Sequence, residues 1–206
     1  MIRFTQGVAA ISMLALSAVA AAQSFPAKPI RVVIPFVAGG SSDIVGRAIA
    51  GKFQELLGQP GVVENKPGAN GAIAAEFVAK ADPDGYTILV GSIGVFSINA
   101  ALFKDLRYNP ERDFAPITLA VTTPKVLITK PTLQAGSLKD LIEHMKKNPG
   151  KLSYCSSGTG SSDHLTAELL KQATGTDAVH VPYKGGAACQ TDIMGNQVDF
   201  SFQNLG

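Results

Sequence analysis

An apolar, β-branched run, Ile30 to Phe36, breaks directly into Ala38-Gly39-Gly40-Ser41-Ser42-Asp43, and a helical pattern follows with no linker. A chain written this way folds as strand, tight turn and helix. The first N–H groups of that helix have no intrahelical acceptor and point at one spot. The helix dipole adds partial positive charge there, so the turn suits an anion. The same arrangement returns at Ser156-Ser157-Gly158-Thr159-Gly160-Ser161-Ser162-Asp163. Two such turns, far apart in sequence, predict a small acidic molecule gripped from two sides.

Around these turns, β-branched runs alternate with helical periodicity. The pattern predicts strands near 30–36, 61–64, 87–91, 116–122, 125–130, 152–155, 178–181 and 198–202. It predicts helices near 42–57, 70–80, 137–147, 161–174 and 186–194. Ile44, Val45, Ala48, Ile49, Phe53, Leu56 and Leu57 form the expected apolar face of the first helix, which Gly58 closes. Ser137 is a candidate N-cap, Pro149-Gly150 a stop, and Gly175 ends the helix over 161–174. Strand–helix alternation with near-continuous apolar strands implies an α/β fold of parallel sheet covered by helices. In such sheets ligands sit beyond the C-terminal ends of the strands, where both glycine-serine turns fall. A domain change is expected near Thr122-Thr123-Pro124. The stop at Asn204-Leu205-Gly206, just after a strand and with no closing helix, suggests a fragment or an early stop.

The N-terminus reads as an address. Arg3 precedes an uncharged apolar stretch, Val8 to Ala20, and Ala20-Ala21-Ala22 offers small residues for cleavage. This resembles a bacterial Sec signal peptide cut near Ala22, which sends the chain to the periplasm. Of 18 basic and 16 acidic residues, Arg3 lies in the leader. The near-neutral remainder argues against a nucleic-acid partner, which needs a basic face. Cys155 and Cys189 could pair in an exported chain or remain buried thiols, and spacing alone leaves both open. Three histidines without a His/Cys/Asp/Glu cluster predict no metal, and no motif calls for a cofactor.

A longer ordered series of motifs is more specific than any one turn. Phe25-Pro-Ala-Lys-Pro-Ile-Arg31, Pro35-Phe-Val-Ala-Gly-Gly40 with Asp43, and Val63-Glu-Asn-Lys-Pro-Gly68 come first. Ala81-Asp-Pro-Asp-Gly-Tyr-Thr87, Asp113-Phe-Ala-Pro116 and Pro149-Gly-Lys-Leu-Ser-Tyr154 follow. Ser157-Gly-Thr-Gly-Ser161 with His164, His180-Val-Pro-Tyr-Lys-Gly185 and Gly195-Asn-Gln-Val198 close the series. The set resembles the extracytoplasmic solute receptors of tripartite tricarboxylate transporters, the Bug family.

That resemblance implies a two-lobed, type II-like periplasmic binding protein. The lobes would be residues 23–123 and 124–206, after a leader at 1–22, with the second lobe C-terminally incomplete. It implies a small carboxylate ligand between the lobes: a di- or tricarboxylate, an acidic amino acid or an aromatic acid. It also implies delivery to a membrane permease with a large and a small subunit. A monomer is the expected state. In the family the first turn holds a ligand carboxylate partly through water, and the second turn is the opposing jaw. The family usually has glycine where Cys155 stands.

Candidate ligand-binding residues are therefore Gly39, Gly40, Ser41, Ser42 and Asp43 in the first turn, and Ser157, Thr159, Gly160, Ser161 and His164 in the second. Gly91 and Ser92 are a candidate third wall. Asp43 repels an anion, so capping the helix or ordering a water suits it better than direct contact. Tyr183 and Lys184 are cleft-edge candidates, whereas His180 reads as structural. With no arginine in either turn, charge recognition would rest on dipoles, and salt should weaken binding only slightly. The sequence lacks a Gly-x-Ser-x-Gly elbow, and Ser161, Asp163 and His164 on one helix start cannot align as a triad. No catalytic residue is assigned. Two alternatives stay open at this level. One is an exported enzyme using the turns as oxyanion or phosphate holders. The other is a ligand-sensing subunit for a membrane kinase.

Overall fold

The structure, a computed structural model, describes residues 25–205. The expected leader, residues 1–22, lies outside them. Strands β1 (Ile30–Ile34), β2 (Gly61–Asn65) and β3 (Thr87–Leu89) form a parallel sheet in the order β2-β1-β3. β1 is central and covered on both faces, so Val32, Val33 and Ile34 are all fully buried. That explains why its sequence shows no polar alternation.

Helix α1 (Ser41–Leu57) packs on this sheet, but not by the apolar stripe expected from periodicity. Its buried residues are Asp43, Gly46 and Ala50, while Ile44 and Leu56 stand exposed. Small residues win because the backbones approach closely. A Cβ on Gly46 would lie 2.6 Å from Ile34 Cδ1, and one on Gly61 would lie 2.7 Å from Ala50 Cα. A Leu-rich face would hold the helix farther out.

After β2, Gly68 to Gly71 make a tight turn that leads into α2 (Ala72–Ala79). Beyond β3, residues Gly94–Ile98 form a π-helical turn that runs into α3 (Asn99–Leu102). Sequence periodicity did not predict this short helical stretch. Two turns are too few for an amphipathic repeat to register.

The second sheet contains β4 (Lys125–Thr129), β5 (Ser153–Ser156), β6 (Val179–Pro182) and β7 (Phe200–Asn204), in the order β4-β7-β5-β6. β5 runs parallel to β6 and β7. β4 pairs antiparallel with β7, Lys125 opposite Asn204 and Thr129 opposite Phe200, so the purely parallel expectation fails at this edge. An antiparallel edge strand on a parallel sheet is a common arrangement. Helix α4 (Leu138–Lys147) starts at the Ser137 cap, whose side chain accepts the Asp140 N–H, as expected. Helices α5 (Ser162–Thr174) and α6 (Gly186–Met194) complete this half, and Gly175 closes α5 at φ 63°. Leu141, Met145, Leu152, Tyr154, Ala167 and Phe200 fill the core between sheet and helices.

Cys155 and Cys189 are disulfide-bonded, tying β5 to α6 across 34 positions of sequence. Both are fully buried beside Ile193 and Val198. The strand expected over 116–122 does not form. Residues 115–124 carry no regular structure, and Ile117 and Leu119 are 78% and 79% exposed. A β-branched run becomes a strand only beside a ladder partner, and none of the described strands lies alongside it.

Candidate functional site

The first turn leaves the buried end of β1 at Pro35 and delivers the chain to α1 through Gly39, whose φ is +85°. That left-handed value costs glycine nothing. Asp43 then reaches back beneath the turn. Its Oδ2 accepts the Gly39 N–H and Arg47 Nε, both at 2.9 Å, and its Oδ1 accepts Asn65 Nδ2 at 2.9 Å. Asn65 also donates to the Phe36 carbonyl. The Arg47 hydrogen bond, with help from Gly39 and Asn65, holds the Asp43 carboxyl down at about 2 although burial opposes this. Asp43 is therefore a permanent anion whose lone pairs are spent on the protein. It braces the turn from behind. Ser41 lies under Asn204 at the end of β7, with its Oγ 3.4 Å from Asn204 Nδ2.

The second turn repeats this plan with a different brace. Asp163, 3% exposed, accepts the Ser157 N–H at 3.1 Å and the Ser157 hydroxyl at 2.5 Å, and it pairs with Lys125 of β4. Ser157 thus spends its hydroxyl inward. Ser161 caps α5 by accepting the His164 N–H at 3.3 Å, and Gly160 N–H donates to His164 Nδ1 at 3.1 Å. Ser161 and His164 shape the loop from its helix side. Behind them the His164 ring stacks on His180, centroids 4.0 Å apart, and His180 stacks on Tyr154. His180 Nε2 lies 2.7 Å from Ser156 Oγ, at the start of the turn. Burial, followed by the charge of His164, pushes His180 down to about 4, and burial also lowers His164. Both rings are therefore neutral at pH 7.

The two halves meet over a cavity of about 320 Å³, at the lower end of the roughly 300–1,000 Å³ usual for small-molecule sites. Phe36 and Asn70 line it from the first half, and Ser157, Gly158, Thr159 and Tyr183 from the second. Lys184 stands at the same rim and is the cavity's charged residue among those described. The halves also touch directly, since Val37 N–H donates to the Lys184 carbonyl at 3.4 Å.

Ser157 and Thr159 are thus the expected ligand contacts that border the cavity, together with the cleft-edge candidates Tyr183 and Lys184. Gly39, Gly40, Ser41, Ser42 and Asp43 sit beside it, not on its wall. Gly160, Ser161 and His164 form the support of the second turn. The expected third wall behaves differently. Gly91 packs against the Phe96 ring, and the Ser92 carbonyl accepts the Val95 and Phe96 N–H groups, which starts the π-turn. Sequence reasoning missed the Gly68–Gly71 loop and the bracing Asp163. The Pro67-Gly68 and Asn70-Gly71 pairs were visible turn signals.

The family model for the tripartite tricarboxylate transporter family receptor matches residues 45–205. The chain belongs to that family. A UPF0065 protein of Bordetella pertussis is 39% identical over 96% of this chain and 61% of its own length. Protein BugT of the same organism is 35% identical over 95% of this chain and 60% of its own. Among solved structures, one described as a periplasmic transporter is 47% identical with a TM-score of 0.86, covering 88% of this chain and 61% of that one. An R. palustris protein solved with adipate has a TM-score of 0.86 at 36% identity, covering 88% and 61%. Rhodopseudomonas palustris MatC with bound malate has a TM-score of 0.82 at 33% identity, covering 87% and 61%. The chain thus spans about 61% of the length of these relatives. The family is one of receptors, and it gives no support to the enzyme reading of the glycine-serine turns.

Proposed function

We propose that this chain is a periplasmic solute receptor that binds a small carboxylate between two lobes, residues 23–123 and 124–206. It enters the periplasm by a leader cleaved near Ala22, works as a monomer, and passes its ligand to the large and small subunits of a tripartite tricarboxylate-type permease. One observation carries the reading: two strand–turn–helix units, each braced from behind by a buried aspartate, flank one interlobe cavity. Each brace orders its turn at a helix N-terminus, and the dipole of a helix start favours a carboxylate beside it. Adipate and malate in the related structures agree with this chemistry.

A dye-monitored thermal shift tests it, because the chain has no tryptophan. The panel is citrate, succinate, malate, glutamate, aspartate, nicotinate and terephthalate. A ligand at about 100 times its Kd stabilises by roughly 2.7 kcal/mol, a shift of several degrees. A selective shift for one acid that survives moderate salt is expected. A cooperative melt unmoved by every acid contradicts the reading.

A further inference from the structure

Asn70 lies in the turn between β2 and α2 with φ 49° and ψ 38°, a left-handed conformation that non-glycine residues adopt at a cost. The turn is locked in place, since a Cβ on Gly71 would meet both Val95 and Pro35. Asn70 is 8% exposed, and its amide direction is set by a chain of bonds behind it. The Tyr108 hydroxyl donates to the Val95 carbonyl at 2.5 Å, so it receives Asn99 Nδ2 at 3.1 Å. Asn99 Nδ2 also donates to the Asn70 carbonyl at 3.1 Å, which turns Asn99 Oδ1 toward Asn70 Nδ2 at 2.9 Å. Flipping the Asn70 amide would set two acceptor oxygens against each other. Oδ1 is therefore held on the far side.

There, Asn70 Oδ1 finds no hydrogen-bond donor among the described residues. It faces the second glycine-serine turn: a Cβ on Gly158 would stand 3.8 Å from it, and one on Gly94 would stand 3.3 Å away. Asn70 and Gly158 both line the interlobe cavity. A buried acceptor without a donor is unfavourable, and a molecule that brings a donor recovers the loss. Lys184 and backbone N–H groups satisfy carboxylates, which carry no donor of their own. A hydroxyl fits Asn70 better than an ammonium, because the described cavity wall carries Lys184 and no free carboxylate.

We infer that Asn70 selects among carboxylates by accepting a hydrogen bond from a ligand hydroxyl, so that the preferred ligand is a hydroxy-carboxylate. The inference rests on the receptor reading above. Calorimetric titration of the full chain with malate, succinate and aspartate tests it, with Asn70→Gly as the variant. Glycine keeps the left-handed turn and removes the amide, which also takes the donor from Asn99 Oδ1. Malate is expected to bind about 10-fold or more tightly than succinate. The variant should lose the malate preference, so that the ratio of malate to succinate affinity falls to about 1 whatever the absolute affinities. Succinate equal to malate on the wild type, or a preference that persists in Asn70→Gly, overturns the inference while leaving the receptor standing. Aspartate binding more tightly than malate overturns the hydroxyl assignment. Failure of all three acids to bind overturns the inference, and the receptor reading falls with it where citrate, glutamate, nicotinate and terephthalate are inert as well. The wild-type comparison decides the matter even where the variant does not fold.

Discussion

Opening the Cys155–Cys189 bond isolates one stabilising contribution without replacing any residue, since only the two sulfurs must separate to ordinary contact distance. The bond closes a loop across 34 positions of sequence. In the chain-entropy description, a closed loop of that length restricts the unfolded ensemble by about 3.8 kcal/mol at 25 °C. Both cysteines are fully buried, so reductant reaches them only when the second half opens. The reduced form is therefore made in denaturant and refolded under reductant. Urea unfolding followed by far-ultraviolet dichroism then compares oxidised with reduced chain. With a slope near 2 kcal/mol/M, typical for a chain of this size, the reduced midpoint should lie about 2 M lower. Two titratable thiols in the unreduced, unfolded chain would refute the pairing. A pairing confirmed by thiol titration with a midpoint change under about 0.5 M would refute the loop-entropy argument.

The stacked histidines make stability depend on pH. His180 is held down to about 4 and His164 is also lowered, in a pocket faced by Tyr154, Glu168 and Lys171. The unfolded chain protonates these rings first, near 6.5. Stability is thus fully present above pH 6.5 and is lost as pH falls toward 4. The urea midpoint should drop from pH 7 to pH 5, and His180→Gln should flatten that slope; a flat wild-type profile counts against the stacked, buried pair. A glycine comparison tests the second turn. Gly160 has φ +81° and a Cβ there would run into Leu102, whereas Gly175 has φ +63° and open space around it. Gly175→Ala should cost about 1 kcal/mol from backbone strain alone. Gly160→Ala should cost about 1–3 kcal/mol more from overpacking and should weaken carboxylate binding, read as melting temperature and titration. Equal costs would show that the loop yields freely.

Much of this molecule is legible one segment at a time. Strand, turn and helix at 30–57 and 153–174, the cap at Ser137, and the left-handed closures at Gly58 and Gly175 all follow from contacts within a few residues. Hydrogen bonds to the first helical N–H groups and glycine's freedom at positive φ act locally, so sequence order alone carries them. What escaped that reading depends on partners far along the chain. The buried face of α1 is Asp43, Gly46 and Ala50 because Ile34 and Gly61 press close against it. Residues 116–122 have strand composition and no ladder, since pairing is a property of two segments. Cys155 meets Cys189 only because β5 and α6 pack together. Asn70 is the clearest case. Its neighbours Asn99 and Tyr108 lie well beyond it in sequence, and the Gly158 turn that faces it belongs to the other half. An unpaired acceptor has no signature in a sequence, because only tertiary packing decides which donors reach it.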